Sequence, residues 1–427
     1  MRILIYGINY TPEFIGIGKY TGEMAEWLSN QGYQVRVVTA PPYYPNWKVG
    51  TGYSASSYRY EQMAGVKIWR CPLWVPRQPS SLKRILHLAS FAISSLPIIL
   101  WQGLFWQPDI VFFVEPPFFC TFGALLAARL GGAKAWLHIQ DFELDAAFEL
   151  GLLSSSKSLR KVATVVEHWL MSQPECVSTI SEHMLTELAT KGVDEPRSLL
   201  FPNWVDVDAI LPINETNPFR DELRITSDTI VVLYSGNLGE KQGLEILIMT
   251  ASLLQAHPSI YFVICGAGSS KKRLMDLASS LPNICFLDLQ PVKRLNALLN
   301  LANIHLLPLR AEATESVMPS KLKGMFASGR PVIATAHPGT QIAKLVEGHG
   351  IVVPPGDVKA MSDAILHLAD HPEQCSQLGQ AAREFAVTHW HKEEILYQFK
   401  QKASHLSKEQ REKGEKISAI NWARRRV

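Results

Sequence analysis

The chain has 427 residues, and at roughly 150 residues per domain it should form two large domains or three small ones. Hydrophobic residues make up 47% and charged residues 19%, an ordinary globular composition that excludes a wholly disordered chain. The formal net charge is only +3, which is too small for a protein that binds nucleic acid over its whole surface.

The cysteines and the N-terminus favour an intracellular protein. The six cysteines are scattered without C-x-x-C spacing, which argues against a zinc site or a disulfide scaffold and fits a reducing cytosol. The first residues, Met1 to Gly7, are too short and too quickly broken to form a signal peptide. We therefore expect a cytoplasmic location for the bulk of the chain.

Four strand-like runs alternate with helical patterns in the first half of the chain. They are Arg2 to Tyr6, Val35 to Thr39, Ile110 to Val114 and Ala135 to Ile139. This alternation is typical of βαβ units and predicts a parallel sheet with covered faces. The first half should be a doubly wound α/β domain.

A second, similar domain is predicted after a turn-rich stretch from Phe201 to Pro218. The strand Ile230 to Ser235 precedes a helical stripe from Gly243 to Leu254. Further short apolar runs are typical of buried parallel strands: Tyr261 to Cys265, Ile284 to Leu287, Ile304 to Leu307, Pro331 to Thr335 and Ile351 to Val353. We predict two Rossmann-like, doubly wound sheets that face each other across a cleft.

The predicted domain boundaries follow from the point where the second series of strands and helices begins. The N-terminal domain would cover 1–205 and the C-terminal domain 206–390, and 391–427 would hold a terminal helix and a tail. Residues 408–427 contain seven basic and three acidic residues. The tail is interpreted either as a solvated helix or as a segment attracted to an anionic membrane surface.

One long apolar segment interrupts the first domain. Ile85 to Trp106 contains no Asp, Glu, Lys or Arg and is long enough for about 30 Å of hydrocarbon. Pro97 interrupts it, and Trp101 and Trp106 lie at one end, as in interfacial segments. We favour docking on a membrane surface over a buried core element. A transmembrane helix is the least favoured, because the sheet resumes at once with Asp109.

A glycine-rich loop follows the first strand. Gly16 and Gly18 precede a helical stripe, where backbone amides can hold an anion or a sugar closely because glycine has no side chain. The spacing Gly16-x-Gly18-x-x-x-Gly22 is not G-x-G-x-x-G, and no acidic residue ends the second strand. A dinucleotide enzyme is therefore disfavoured. The remaining alternative is that the glycines serve only a tight turn.

In the second domain, two glycine-containing turns follow neighbouring strands. The first contains Gly236, Asn237 and Lys241 before an apolar helix, where a lysine can meet a diphosphate. The second contains Gly266 and Gly268 at the carboxyl end of the next strand, the usual ligand edge of an open sheet. Together these turns predict a nucleotide-binding half.

The start of a later helix adds to this prediction. Ser320 is predicted to be its N-cap and Lys321 to be a second charge for phosphate. The alternative is plain capping and an ordinary surface charge.

These motifs resemble a known family. The order G-N-L-x-x-K-x-G, I-C-G-x-G, P-S-K and A-S-G-R-P-V-I-A is similar to that of the retaining GT-B glycosyltransferases of family four, over nearly the whole chain. More narrowly, Tyr10 to Glu13 and Pro41 to Pro45 resemble the colanic-acid type of exopolysaccharide glycosyltransferases, which are described as fucosyltransferases.

The resemblance implies sugar transfer from a GDP- or UDP-sugar, with GDP-fucose as the first candidate, to a lipid-linked glycan. The anomeric configuration would be retained. The donor would bind mainly in the C-terminal domain and the acceptor in the N-terminal domain. No cofactor is implied, and with no Asp-x-Asp motif in a suitable place no metal is expected. The residues implied in donor binding are Gly16, Gly18, Gly236, Asn237, Lys241, Gly266, Gly268, Ser320 and Lys321, and Lys241 would also be catalytic by neutralising the departing diphosphate.

The chain departs from the family pattern at three positions. The family often has arginine where this chain has Asn237, so one positive charge is missing. The usual pair of glutamates would fall on Ser316 and Gly324. Glu312 and Glu315 lie nearby, and whether either replaces the pair is left open.

Asp141 is the predicted catalytic carboxylate. It follows the strand Ala135 to Ile139, and it could orient the acceptor hydroxyl or stabilise developing positive charge on the sugar ring. The alternative is an aspartate that caps the following helix. His138, inside the strand, is expected to be a core residue with satisfied hydrogen bonds.

Two other functions compete with glycosyl transfer at the inner face of a bacterial membrane. A nucleotide-sugar epimerase shares the two-domain GT-B fold, but it needs no membrane element such as 85–106. The departures at Asn237, Ser316 and Gly324 suggest a catalytically degenerate, membrane-associated partner protein. Ala386 to Phe399 resembles the family's terminal helix, which crosses back to the first domain.

Overall fold

The computed structural model describes residues 1–13, 16–77, 81–143, 157–213, 217–311 and 320–424. The chain divides into two compact units, which are 1–203 with 393–427 and 204–392. All six cysteines are free thiols, in agreement with the expectation that no disulfide forms.

The first unit is built on an eight-stranded sheet. Its strands are β1 (Arg2–Tyr6), β2 (Gln34–Thr39), β3 (Arg59–Met63), β4 (Val66–Arg70), β5 (Ile110–Glu115), β6 (Lys134–Ile139), β7 (Cys176–Thr179) and β8 (Ser198–Leu200). Their spatial order is β3-β4-β2-β1-β5-β6-β7-β8, and β3 is antiparallel to β4 while the other pairs are parallel. The four predicted strands are confirmed.

The hairpin of β3 and β4 was not predicted from the sequence. Its turn places Ala64 and Gly65 at φ values of 48° and 77°, as a two-residue hairpin loop requires. Most residues of β3 are exposed, so the strand carries no apolar alternation that would mark it.

In the described part of the first unit, five α-helices precede β8. They are α1 (Gly16–Asn30), α2 (Ser81–Trp101), α3 (Cys120–Gly131), α4 (Lys157–Met171) and α5 (Glu182–Thr190). The predicted stripe on α1 is confirmed, because Tyr20, Met24 and Leu28 are buried.

The apolar segment forms α2 and a following π-helical turn, Gln102–Trp106. Pro97 lies on the exposed side within α2 and does not end the helix, contrary to the prediction. Phe91 and Ile99 are fully buried in the core of the unit, so one face is a core element. The stretch 82–106 is long and apolar enough to cross a membrane by length and composition, with a mean hydropathy of 1.6 and 28% of that window buried.

The second unit contains a six-stranded parallel sheet in the order β11-β10-β9-β12-β13-β14. The strands are β9 (Ile230–Asn237), β10 (Ile260–Ala267), β11 (Ile284–Leu287), β12 (Ile304–Leu307), β13 (Val332–Thr335) and β14 (Gly350–Val353). This order is that of the Rossmann fold, and all six predicted strands are confirmed.

Helices cover this sheet, because each parallel connection needs a crossover. They are α6 (Pro218–Leu223), α7 (Glu245–Leu253), α8 (Lys271–Leu277), α9 (Leu295–Leu301), α10 (Lys321–Ala327), α11 (Gln341–Val346), α12 (Val358–Asp370) and α13 (Pro372–His389).

The chain returns to the first unit through the long helix α14 (Lys392–Arg424). The single helix expected from Ala386 to Phe399 is wrong, since α13 ends at His389 and Trp390 has a non-helical φ of −125°. Trp390 is buried in the second unit, whereas Phe399 stacks on Trp136 in the first, with ring centroids 4.5 Å apart. The break therefore lies where the chain leaves one core for the other.

Candidate functional site

The second unit places its predicted donor residues at the point where the strand order of its sheet reverses. β9 has β10 on one side and β12 on the other, so the connections leave on opposite faces and a crevice forms at the carboxyl ends. Gly236 and Asn237 end β9, and they pair in register with Gly266 and Ala267 of β10. The two glycine turns that the sequence assigns to a nucleotide-binding half therefore lie side by side.

The two turns approach so closely that glycine is required. A Cβ on Gly266 would lie 1.9 Å from the carbonyl oxygen of Gly236, and one on Gly268 would lie 2.4 Å from that of Leu238. Gly266 also has φ +154°, which side chains rarely adopt. The two turns are thereby packed backbone to backbone, and the amide of Leu238 donates to the carbonyl oxygen of Ala267 at 2.9 Å.

Lys321 brings a positive charge to these turns. Its Nζ donates hydrogen bonds to the hydroxyl of Tyr234 at 3.0 Å and to Oε1 of Gln242 at 2.8 Å. A Cβ on Gly236 would lie 3.5 Å from Nζ, so the ammonium is directly beside the β9 turn. Burial lowers the pKa of Lys321 to about 7. The alternative of an ordinary solvated surface charge is wrong.

Tyr234 completes this arrangement, although the sequence did not single it out. Its hydroxyl donates to the carbonyl oxygen of Asn237 at 2.7 Å and its ring lies 4.4 Å from Nζ of Lys321. The two acceptors that the described residues offer Lys321 are neutral, so neither of them neutralises its charge.

Two other cations at this edge are neutralised by carboxylates. Arg273 lies 3.4 Å from Glu240, and Arg310 lies 3.5 Å from the same residue. Glu245 contacts both arginines. These exposed pairs hold the segment that follows β9 in place, but they offer less net charge to a phosphate than Lys321 does.

Other predicted donor residues lie near this edge. Lys241 belongs to a 3₁₀ turn, Glu240–Gln242, that directly follows β9, and its side chain lies outside the described part. Ser320 precedes α10, but its φ of −57° is helical and its side chain makes no capping hydrogen bond. The predicted N-cap is therefore wrong, because capping residues take an extended φ and ψ that turns the hydroxyl toward the first amides.

The structure gives a physical reason for one departure from the family pattern. A Cβ on Gly324 would lie 3.3 Å from Cδ1 of Leu299, so this position on α10 packs against α9. The Cβ of any larger residue would therefore lie against Leu299 and, at 4.0 Å, against Cδ1 of Ile210. Glu312, Glu315 and Ser316 lie outside the described residues.

In the first unit, the predicted glycines start α1. Gly16 begins the helix with φ +63°. A Cβ on Gly18 would lie 2.7 Å from Oε2 of Glu13, so Gly18 is required by packing. A role for these glycines at a donor stays a prediction.

Glu13 joins this loop to the segment after β2, a link that the sequence did not reveal. Its Oε1 accepts hydrogen bonds from the backbone amides of Tyr43 and Tyr44, each at 2.9 Å. Its Oε2 accepts one from Nδ2 of Asn9 at 2.9 Å. The two short motifs, Tyr10 to Glu13 and Pro41 to Pro45, are thus one structural feature.

Three carboxyl groups lie where β5 and β6 end. Glu115 ends β5 and is buried, which raises its pKa well above the usual range, and nearby Glu143 adds to this effect. Burial also raises the pKa of Glu143 to about 7, and the charge of Asp141 contributes. Asp141 is exposed, so it has the solvent access that the glutamates lack. Its proposed capping of a following helix falls outside the described residues.

His138 is a core residue, as predicted. Its Nδ1 lies 2.9 Å from Oγ of Ser178, and its Nε2 lies 2.9 Å from the amide nitrogen of Gln140. Burial lowers its pKa to about 3, which keeps it neutral. Gln140 in turn pairs with the amide of Asn203 and fixes the chain just before Asp141.

Within the described ranges, no group of three or more His, Cys, Asp or Glu residues is arranged to hold a metal ion. Among the described residues of this crevice, the arginines Arg273 and Arg310 are paired with Glu240 and Glu245, whereas Lys321 is hydrogen-bonded to neutral groups. The chemistry this edge offers is anion binding by amides and an ammonium group.

Comparison with known proteins finds two family models, one in each half. The model described as "Glycosyl transferase 4-like domain" matches residues 16–204, and the one described as "Glycosyl transferases group 1" matches residues 215–385. A protein of Escherichia coli (strain K12), named as the colanic acid biosynthesis glycosyl transferase WcaI, is 42% identical over 93% of this chain and 98% of its own length.

Solved structures share the fold at low sequence identity. Sucrose-phosphate synthase from Thermosynechococcus elongatus matches with a TM-score of 0.74 and 17% identity, over 95% of this chain and 98% of that one. HepE from Anabaena, solved with UDP-glucose, matches with a TM-score of 0.67 and 15% identity, over 95% of this chain and 100% of that one. At this identity the likeness concerns the fold alone.

Proposed function

The chain belongs to the GT-B glycosyltransferases of family four, and we propose that it transfers a sugar from a nucleotide diphosphate donor to a lipid-linked glycan. It is a glycosyltransferase of exopolysaccharide synthesis. The donor class is a GDP- or UDP-sugar, with GDP-fucose as the first candidate.

The contact of Lys321 with the turn at Gly236 carries this proposal. An ammonium whose described partners are neutral lies beside two glycine turns, and it provides a positive charge for a diphosphate. The same position is where an open parallel sheet binds its ligands.

The reaction needs the departing diphosphate to be stabilised as the bond between sugar and phosphate breaks. Lys321 and, by resemblance, Lys241 supply this stabilisation, together with the turns that contain Gly236, Asn237, Gly266 and Gly268. Asp141 would orient the acceptor hydroxyl or stabilise positive charge on the sugar ring. We propose that the anomeric configuration is retained.

We further propose that the protein is cytoplasmic and binds peripherally to the inner face of the plasma membrane. The outward face of α2 and its π-helical turn supports this, because Leu86, Ile93 and Phe105 are 52%, 73% and 76% exposed. Exposed apolar surface of this kind, next to Lys83 and Arg84, is typical of interfacial segments.

A thermal-shift titration with GDP-, UDP- and other nucleotide sugars tests the donor assignment. A ligand that binds only the folded protein raises its melting temperature, so one donor class should do so for the wild type and not for Lys321→Met. No shift with any donor at millimolar concentration would contradict the proposal and favour the degenerate partner protein. A donor that is epimerised without an acceptor would instead support the epimerase.

A further inference from the structure

Exposed apolar side chains also lie on α4, a helix that the proposed function does not use. Four of them, at a spacing of three and four residues, form a stripe along one side of the helix and are 42–60% exposed: Val162, Val165, Val166 and Trp169. The opposite side is buried, because Met171 lies in the core of the unit and Glu167 bonds Lys191 at 3.0 Å. A contiguous exposed stripe of this kind indicates an interaction surface.

The helices α2, α3 and α4 cover the same face of the first sheet. They connect β4 to β5, β5 to β6 and β6 to β7, and all three connections advance in the same direction along the strand order. Right-handed crossovers of that kind lie on one face of a sheet. Phe91 of α2, Ala124 of α3 and Met171 of α4 accordingly belong to one core cluster, which also contains Phe113 and Leu137 of the sheet.

The opposite face of this sheet is covered by α14. Phe112 and Trp136 alternate with Phe113 and Leu137 along β5 and β6, so their side chains point the other way. Phe399 of α14 packs on both rings, at centroid distances of 5.2 Å and 4.5 Å. Substitutions on α14 therefore provide a control for substitutions on the face of α2, α3 and α4.

The exposed apolar surface continues on α3. Two of its side chains are 57% and 44% exposed, Phe122 and Leu130. A Cβ on Gly123 would lie 3.1 Å from Cδ1 of Leu96, so α3 packs directly against α2. At its other end, Arg129 donates to Oε1 of Gln173, just after α4, at 2.6 Å. The outward sides of the three helices thus form one layer.

The charge of this layer selects its partner. The three helices contain a single acidic residue, Glu167, which is buried and paired with Lys191. They contain several basic residues: Lys83, Arg84, Arg129, Lys157, Arg160 and Lys161. Apolar stripes with cations and a tryptophan are typical of helices that lie in the interface of an anionic membrane. A second copy of the same surface would instead bring like charges together.

We propose that the first unit docks flat on an anionic lipid bilayer through the outward sides of α2, α3 and α4, with the stripe of α4 as a second anchor. This inference rests on the proposed function, which assigns membrane contact to α2 alone. It adds two helices to the contact and fixes the orientation of the unit. The sheet lies parallel to the bilayer, so its carboxyl edge, where Asp141 follows β6, opens along the membrane surface. A glycan can reach that edge while it remains attached to its lipid.

Partitioning of the full-length protein onto vesicles made of equal parts of phosphatidylcholine and phosphatidylglycerol tests this contact. Val165→Glu with Trp169→Glu places two charges on the stripe of α4 and should weaken vesicle binding at least about tenfold. Phe122→Glu with Leu130→Glu should have a similar effect on α3. Because all four side chains are exposed, the melting temperature measured without vesicles should match that of the wild type.

A matched control and a charge variant complete the set. Tyr397→Glu with Gln401→Glu adds two charges at exposed positions of α14, on the opposite face, and should bind vesicles as the wild type does. Arg160→Gln with Lys161→Gln should weaken binding to the mixed vesicles about tenfold or more. Binding of the same variant to vesicles of phosphatidylcholine alone should not change.

Three results would overturn the proposal. The first is wild-type vesicle binding by the α4 pair or the α3 pair; if Ile93→Glu with Phe105→Glu still loses binding, membrane contact through α2 stands. The second is a lower melting temperature of the α4 pair with vesicle binding intact, which would show that the chain itself covers the stripe, for example with the segment 144–156. The third is a wild-type dimer, seen by sedimentation without vesicles, that the α4 pair dissociates.

The proposed function is tested separately on the same samples. No vesicle binding by the folded wild type would contradict the peripheral membrane location together with this inference. Nucleotide binding by the same protein would leave the donor assignment standing in that case.

Discussion

The Nζ atom of Lys321 lies 3.0 Å from the hydroxyl of Tyr234, which itself donates to the carbonyl oxygen of Asn237. This chain of two hydrogen bonds connects the first residue of α10 to the last residue of β9. It places an ammonium group at the switch point of the second sheet, and among the described residues its hydrogen-bond partners are neutral. Donor binding should therefore depend on Lys321.

Replacing Lys321 by methionine should remove most donor affinity. The variant loses a charge-assisted contact to phosphate worth about 1.5–3 kcal/mol, so affinity should fall roughly ten- to a hundredfold. Lys323→Met is the matched control, because Lys323 is also buried on α10 but lies 4.5 Å from the ring of Trp390. Calorimetric titration with GDP and UDP compares the two, and equal losses would contradict the role of Lys321.

Donor binding should weaken as the pH rises through neutrality. Burial lowers the pKa of Lys321 to about 7, so the ammonium is charged below that pH and neutral above it. If binding requires the charged form, the dissociation constant should increase by up to about tenfold per pH unit above 7. Lys321→Met should bind weakly with no such dependence. The measurement is nucleotide affinity between pH 6 and 8.5.

Gly266→Ala should destabilise the second unit far more than an alanine at another glycine with positive φ. The new Cβ would lie 1.9 Å from the carbonyl oxygen of Gly236, so β9 and β10 must separate at their ends. We expect the free energy of unfolding to fall by about 3 kcal/mol or more. Donor binding should be lost as well. Gly348→Ala has φ +81° and no atom within 4 Å, so it should cost about 1 kcal/mol. Denaturant unfolding measures both, and equal losses would argue against this close approach.

Glu13→Gln should loosen the glycine-rich loop of the first unit. The carboxylate accepts three hydrogen bonds, and an amide must point its NH₂ group at one of these donors. We expect destabilisation by about 1–3 kcal/mol, measured by denaturant unfolding. Glu26→Gln, at an exposed position on α1, should have no effect. Equal stability of the two variants would contradict the structural role of Glu13.

Charges on the outward face of α2 should reduce membrane binding. Ile93→Glu with Phe105→Glu adds two charges where the side chains are 73% and 76% exposed. Because both positions face solvent, the stability of the folded protein should not change. Partitioning onto anionic vesicles should fall at least about tenfold, because each apolar side chain contributes about 1.5–3 kcal/mol. The control is Met249→Glu with Leu253→Glu on α7, where the side chains are 56% and 54% exposed. Equal vesicle binding by both pairs would exclude this face.

The buried parallel strands were predictable because each is a short apolar run with turn residues at its ends. The β3 strand was not, because its side chains are mostly exposed and its Ala64-Gly65 turn lacks the usual Asn-Gly signal. The break at Trp390 was missed as well, since both α13 and α14 continue a helical pattern on either side.

The residues of the proposed donor site were predictable for its glycines, which follow strand ends, and for Lys321, which begins a helix. Its hydrogen bonds could not be predicted from the sequence. Lys321 and Tyr234 are 87 residues apart, and Tyr234 has the sequence context of a core strand residue. The same holds for Glu13, whose partners Tyr43 and Tyr44 lie 30 and 31 residues away. Such contacts depend on the register of neighbouring strands, which a single sequence does not specify.

The most direct test of glycosyl transfer is an assay with labelled GDP- and UDP-sugars and a lipid extract of membranes that contain exopolysaccharide precursors. We predict that label from one donor class enters the lipid fraction with release of the nucleoside diphosphate and retention at the anomeric carbon. Lys321→Met and Lys241→Ala should lose this transfer while remaining folded. No transfer from any donor, with nucleotide binding intact, or undiminished turnover by both variants, would contradict the account.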